Sequence, residues 1–207
     1  MGDEFRSLAE DPERERHLDH ALSWLYLANK PYLDWLFDGE LYAKEMLVSW
    51  MRKDISENSL RNVSLYFRDG EPYGGIVTLT GSDLSRARKA DALSILRDVP
   101  SERRPGVLDR MKATGNLFSY PGTDEYYLAK MGVVAAARGT GIGKKIFGLG
   151  IEMGAAAGFK KFRGDVHVDN AAALRVYQSW GFQVGERRES QASGLAYVPV
   201  HLDRSEE

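Results

Sequence analysis

The residues best suited to chemistry lie in one glycine-rich segment, at Gly139, Gly141 and Gly143. Glycines at alternate positions let the backbone curl tightly, so that successive N–H groups point toward one spot. A helix predicted to begin there adds about half a positive charge. Three basic residues stand beside it in the sequence: Arg138, Lys144 and Lys145. The segment therefore predicts an anion site, and a diphosphate is the ligand that suits it best.

Spacing separates this segment from two common phosphate-binding motifs. A P-loop needs glycine and Ser or Thr at the positions that Arg138 and Lys145 occupy,. A dinucleotide fingerprint needs a third glycine where Lys144 stands,. What remains is the pattern Arg-x-x-Gly-x-Gly. The alternative that this is a glycine-rich turn without any ligand stays open at this point.

A second pattern follows after the next predicted strand, in the segment Asn170-Ala-Ala-Ala-Leu-Arg-Val-Tyr-Gln-Ser-Trp-Gly-Phe182. Its spacing is Asn, Ala at plus three, Tyr at plus seven, and Gly-Phe at the end of a helix. Together with Arg138 to Gly143, this segment resembles the Gcn5-related N-acetyltransferase family. The resemblance is close over residues 126–182, extends to the order of elements over 40–80, and is absent over 82–122.

The resemblance implies a mixed α/β fold with a central, mostly antiparallel sheet that is flanked by helices. Two adjacent strands of that sheet splay apart, and the pantetheine arm of acetyl-coenzyme A (acetyl-CoA), the co-substrate, lies between them. The region 82–122 would be a helical insertion between the third and fourth strands. The residues that the resemblance assigns to acetyl-CoA binding are Met131, Gly132 and Val133 through their main chain, Arg138, Gly139, Thr140, Gly141, Ile142, Gly143, Lys144, Asn170, Ala173 and Tyr177.

The resemblance also implies that acetyl transfers directly to a primary amine of a small molecule or peptide in a ternary complex, with Tyr177 protonating the departing thiolate. A phenol with a pKa of about 10 gives its proton to a thiolate of pKa about 8.5 at a cost of only about 2 kcal/mol. The general base stays open. The candidates are Glu125 and His167, with Tyr127 and Asp165 beside them on the same two predicted strands.

Hydrophobic patterning supplies the elements around these segments. Residues 1–16 are acidic and predict a flexible leader or a frayed first turn, and residues 17–207 form a single predicted domain. A helix is expected around 22–28, Pro31 interrupts it, and a short second helix is expected around 32–37. Another helix is expected over about Glu40–Arg52. A hairpin turns at Asp69-Gly70. Further predictions are a central strand, the loop, a helix over 144–157, a strand over 159–168, a helix over 170–180 and two closing strands over 182–188 and 195–202.

Composition excludes several classes of protein. The 207 residues contain no cysteine, which removes disulfides, thiolate metal sites and thiol nucleophiles, and the four histidines lack partners at metal-ligand spacing,. The net charge of −2 predicts neither nucleic-acid nor membrane binding,. No apolar run reaches about 20 residues, so we expect a cytoplasmic protein, as a monomer or a homodimer.

The acceptor amine is not legible in the sequence. Aromatic and acidic residues gather in the first two predicted helices, which suits a cationic amine but also suits a core. The insertion enters the fold where it would cap the acceptor site, and its excess of three positive charges leaves open an anionic substrate or a face turned to solvent. Two other functions stay open, namely a member that binds acetyl-CoA without transfer, and an acyltransferase that uses another acyl-CoA or a hydroxyl acceptor.

Overall fold

The computed structural model describes residues 2–206. Met1, the first residue of the predicted leader, and Glu207, the last residue of the predicted domain, lie outside the described residues. The strands are β1 Asp3–Ser7, β2 Val63–Arg68, β3 Glu71–Thr80, β4 Glu125–Val133, β5 Lys161–His167, β6 Gln183–Val184, β7 Arg188–Glu189 and β8 Ala196–Asp203. The helices are α1 Leu18–Phe37, α2 Glu40–Met51, α3 Gly81–Asp98, α4 Arg104–Ala113, α5 Ile142–Ala156 and α6 Ala171–Ser179.

One sheet runs through the molecule in the order β1-β2-β3-β4-β5-β8-β6, and β7 also pairs with β8. The pair β4–β5 is parallel and the other pairs are antiparallel. The register joins β4 to β5 only over residues 125–127 and 161–163. Beyond these residues the two strands part, which confirms the predicted splayed and mostly antiparallel sheet.

Helices cover both faces of the sheet. Helices α1 to α4 pack on one face around Trp24, Leu47 and Val77, and α5 and α6 pack on the other around Ile76, Phe147 and Phe162. The insertion is helical as predicted, and it consists of α3 and α4 between the third and fourth strands. Helix α3 begins directly after β3 because the Thr80 side chain caps it by accepting from the Asp83 N–H,.

The start of the chain differs from the expected leader. Residues 3–7 form strand β1, which pairs in antiparallel register with β2. The acidic composition of residues 1–16 hides this strand, because its acidic side chains face solvent. Phe5 packs against the core, and Leu8, just after the strand, is fully buried. The strand covers the edge of β2 and places Asp3 beside the N-terminal end of α5.

Two other local expectations also differ. Helix α1 continues through Pro31 instead of breaking there, although proline forfeits one helical hydrogen bond,. Its two halves bury Leu25 and Leu33 in one core, and that shared burial holds the helix together,. The predicted strand over 182–188 is two short pieces, β6 and β7, which pair with different parts of β8.

Candidate active site

The loop between β4 and α5 has the backbone conformation that the glycine pattern predicts. Gly139 and Gly141 adopt φ angles of +76° and +84°. A Cβ at either position would meet open space, so the dihedral angle and not packing calls for glycine there,. Gly141 precedes α5, and no side chain caps that helix end. The first N–H groups of a 15-residue helix are therefore left for an external anion,.

The three basic residues of the loop have different surroundings. Arg138 and Lys144 are exposed, and neither forms an ion pair with any residue in the described range 2–206. Lys145 instead pairs with Asp3 of β1, and its ammonium lies 5.2 Å from the centre of the Tyr66 ring. Two of the three cations thus remain beside the exposed amides of the loop.

The strand residues assigned to acetyl-CoA lie at the splayed end of β4. Met131, Gly132 and Val133 pair with β3, whereas the β5 register ends at Tyr127. Their edge toward β5 is therefore outside the strand pairing. Gly132 has a second role, because a Cβ there would lie 2.9 Å from the Trp24 Cβ. Its lack of a side chain lets α1 pack directly on the sheet.

The residues of the second pattern meet at the splay. Asn170 caps α6 with its Oδ1, which accepts from the Ala173 N–H at 3.0 Å, so its Nδ2 group is its available donor. The buried Tyr177 hydroxyl donates to the Leu128 carbonyl at 3.4 Å, one residue beyond the last β4–β5 pair. Burial raises the pKa of Tyr177. All three predicted residues line one cavity.

The base candidates Glu125 and His167 lie in different places. Glu125 is at the paired end of β4, where its carboxylate binds Arg163 Nε at 2.7 Å and accepts from the Gly122 N–H at 2.6 Å, and it does not line the cavity. His167 does line the cavity. Its Nδ1 accepts from the Asp169 N–H at 3.3 Å, so the neutral ring carries its proton on Nε2 and has no free lone pair,.

Asp165 and Tyr127 also line the cavity, but hydrogen bonds occupy the carboxylate. Asp165 accepts from the Ser119 N–H at 2.8 Å, from the Ser119 hydroxyl at 2.7 Å and from the Tyr127 hydroxyl at 2.6 Å. Burial raises the pKa of Tyr127 well above its ordinary value. These contacts hold the loop after α4 against the splay, and they occupy the Asp165 carboxylate.

The cavity itself has a volume of about 460 Å³ and extends from the splay to the acceptor side of the sheet. Its walls come from α1, the insertion, β4, β5 and α6. Tyr32 is the aromatic residue of α1 that lines it, whereas Trp24 and Phe37 belong to the core. The insertion contributes residues from both of its helices, as its predicted capping role requires.

Sequence reasoning missed a buried ionic network in this cavity. Glu57 binds Lys130 of β4 and, at 2.9 Å, Arg88 Nε of α3. Burial alone would raise the pKa of Glu57, but the charges of Lys130 and Arg88 lower it to about 2. Asp91 of α3 accepts from the Glu57 N–H at 2.9 Å. The signal available in the sequence was Lys130, which interrupts an otherwise apolar strand.

The fold and this site together have the architecture of an acyltransferase, with a glycine-rich loop beside a splayed sheet and a cavity lined by residues of the splay. A model of the acetyltransferase (GNAT) family matches residues 22–182. The chain therefore belongs to the acetyltransferase (GNAT) family, as predicted, and acetyl-CoA is the co-substrate that this membership supports.

Solved structures agree on the fold. An N-acetyltransferase from Staphylococcus aureus Mu50 is 19% identical, with a TM-score of 0.68 over 96% of this chain and 100% of that chain. The ribosomal-protein-S18-alanine N-acetyltransferase from Escherichia coli is 12% identical, with a TM-score of 0.54 over 97% and 93%. A Bacillus subtilis acetyltransferase in complex with CoA is 12% identical, with a TM-score of 0.53 over 98% and 97%.

No curated protein matches the sequence. Within residues 2–206, none of the helices has the length and apolar character that a membrane crossing needs. The predicted compartment stays a prediction.

Proposed function

We propose that this chain transfers the acetyl group of acetyl-CoA directly to a primary amine of a small molecule. One observation carries the proposal. The Tyr177 hydroxyl lies at the splay and lines the same cavity that the first helix and the insertion enclose. A donor in the splay and an acceptor in the cavity would therefore meet beside this hydroxyl.

The chain offers two sets of main-chain donors to acetyl-CoA, which supplies an activated acyl group as a thioester. The N–H groups around Gly139 to Gly143, with Arg138 and Lys144, suit its diphosphate. The free edge of β4 from Met131 to Val133 suits its pantetheine amides, and Nδ2 of Asn170 adds a donor nearby. Such prearranged N–H groups also stabilise the charge that develops on a thioester oxygen during attack.

In the transfer, the neutral amine nitrogen bonds to the acyl carbon, the carbon–sulfur bond breaks, and the sulfur leaves as a thiolate. Tyr177 gives its hydroxyl proton to that thiolate. The resulting phenolate then takes up the proton that the amine nitrogen loses. The raised pKa of the free protein's Tyr177 keeps this hydroxyl protonated at neutral pH. The products are an amide and coenzyme A, with every proton accounted for.

A strong base is not part of this proposal. Glu125 lies in an ion pair outside the cavity, His167 has its lone pair engaged, and Asp165 accepts three hydrogen bonds. We infer that the acceptor ammonium loses its extra proton to bulk water before attack, and that the neutral amine then reacts. The rate should then rise with pH through the range in which the acceptor amine deprotonates.

The test is release of coenzyme A, detected with a thiol reagent, across a panel of small amines. The chain has no cysteine, so the reagent reports only the product. Calorimetry with coenzyme A measures binding separately. Binding with release on at least one amine supports the proposal. Binding without release on any amine or hydroxyl compound indicates the non-catalytic alternative, and release with a longer acyl-CoA or a hydroxyl acceptor indicates the acyltransferase alternative.

A further inference from the structure

The cavity holds two acceptor atoms that have no donor. Asp91 Oδ1 and Asn58 Oδ1 are both buried and have no hydrogen-bond partner, and both residues line the cavity. Asn58 is only 4% exposed. The two residues are neighbours in space, because Asp91 Oδ2 accepts from the N–H of Glu57, the residue before Asn58. Leaving such atoms unpaired is costly, and a ligand that donates to them would recover that cost.

The cavity lining carries three acidic and three basic residues, including the exposed Lys112, but within residues 2–206 none of these bases forms an ion pair with Asp91. The partly buried charged residues that line the cavity are Glu57, Asp91, Asp165, Arg88 and Lys130. Both cations bind Glu57, and Asp165 is satisfied by three hydrogen bonds. Asp91 is therefore the carboxylate of this set that no cation neutralises, and within residues 2–206 it forms no ion pair. Buried charges of this kind are normally paired.

Within residues 2–206, neither Asp91 nor Asn58 forms a hydrogen bond with Asp165 or Tyr177, and a chain of contacts joins Asp91 to the splay. Asp165 marks the β5 side of the splay, and its partner Tyr127 accepts from Arg88 at 3.3 Å. Arg88 in turn binds Glu57, whose N–H binds Asp91. Three side chains thus separate Asp165 from Asp91. A ligand group at Asp91 and a reacting amine at the splay would be two different ends of one molecule.

We propose that Asp91 and Asn58 bind a second, cationic group of the acceptor, so that the substrate is a diamine or another small amine with a distant ammonium. This inference rests on the proposed function, because it assigns the far end of the same acceptor. The ammonium donates to Asp91 Oδ1 and Asn58 Oδ1, and its charge balances Asp91. The apolar wall of the cavity, which includes Leu33, Leu36 and Ile95, contacts the chain between the two nitrogens.

The experiment compares diaminobutane and diaminohexane with butylamine and hexylamine by coenzyme A release. In the wild type, kcat/KM for each diamine should exceed that for its monoamine by about tenfold or more, the usual worth of a hydrogen bond to a charged group. In Asp91→Asn this ratio should fall toward one. Asp98→Asn is the matched control, because Asp98 is on the same helix outside the cavity, and it should keep the wild-type ratio.

A pH series gives a readout that needs no variant. Burial raises the pKa of Asp91 to about 6, against the hydrogen bonds from the Glu57 N–H and the Ser56 side chain, which lower it. The charge of Glu57 raises this pKa and the charge of Lys130 lowers it. The diamine preference of the wild type should therefore shrink as the pH falls below about 6. The reacting amines of both members have pKa values well above this range, so their neutral fractions change by the same factor with pH and the pH dependence cancels in the ratio.

The outcomes distinguish failure of the diamine preference from failure of the proposed acetyl transfer. Equal kcat/KM for diamines and monoamines, or a ratio that Asp91→Asn leaves unchanged, overturns the inference while release of coenzyme A sustains the function. Equal rates with aminohexanamide, which carries an uncharged donor, overturn the cationic assignment. If coenzyme A binds but no amine reacts, the function fails, and calorimetry of the same diamines and monoamines with the coenzyme A complex still decides the diamine preference.

Discussion

Replacement of Gly141 tests whether the loop before α5 holds the diphosphate. Gly141 has a φ of +84°, and a Cβ there meets open space, so valine adds backbone strain without a clash. An L-residue with a side chain in this conformation costs about 1 to 3 kcal/mol, and a β-branched one lies toward the upper end. If binding requires the observed loop, coenzyme A affinity should fall by about 5- to 150-fold.

Gly158 provides a matched control at the other end of the same helix. Its φ is +88° and a Cβ there also meets open space. Because α5 has 15 residues, Gly158 lies about 22 Å from the loop,. Gly158→Val should therefore cost comparable strain and lower the melting temperature, with no change in coenzyme A affinity.

Isothermal calorimetry of Gly141→Val, Gly158→Val and the wild type gives the comparison, with pantetheine as a ligand that lacks the diphosphate. Gly141→Val should weaken coenzyme A much more than pantetheine. Equal affinity of Gly141→Val and wild type for coenzyme A would refute the assignment of the loop. Equal weakening of both ligands would mean that the substitution disturbs the splay and not a diphosphate contact.

Four further outcomes are expected. Tyr177→Phe should lower kcat by about 10²- to 10⁴-fold with little change in coenzyme A affinity, and equal losses of both would indicate a packing role. Gly132→Ala should lower the melting temperature, because its Cβ would lie 2.9 Å from the Trp24 Cβ,. Glu57 contributes stability at neutral pH that is lost as the pH falls from about 4.5 to 2, so Glu57→Gln should flatten acid unfolding in that range,. Asp91 has a raised pKa and costs stability as the pH rises from about 4 to 6, so Asp91→Asn should unfold at a higher temperature than wild type at pH 7 but not at pH 4,.

The sequence is most informative where recognition depends on the backbone. An anion loop needs left-handed dihedral angles at fixed positions, and glycine at 139 and 141 reports those angles directly. Asn170 reports a helix cap in the same way, because its side chain bonds the third residue of α6. Each of these features is local, so a pattern of a few residues contains it, and the family follows from two such patterns in order.

The sequence is least informative where a contact joins distant segments. Strand β1 exists because the edge of β2, about 60 residues later, accepts it, and nothing within residues 3–7 reports that edge. The α1 helix passes Pro31 because tertiary packing outweighs a local breaker. Glu57 and Asp91 look like surface acids in their own segments, and only the fold buries them together.

The same difference between local and long-range contacts explains why the sequence predicts the acetyl-CoA site but not the acceptor site. In the proposed complex, the diphosphate of acetyl-CoA would bind main-chain amides, whose geometry depends on the glycines of the loop. The acceptor would contact cavity-lining side chains from α1, α3, β4 and the segment 57–58, whose chemistry arises from burial and from neighbours far apart in sequence. Asp91 illustrates this most clearly, because burial raises its pKa and leaves one oxygen unpaired at a cost in stability. Such a cost is expected at a site that a ligand completes, and a bound cation would reverse it.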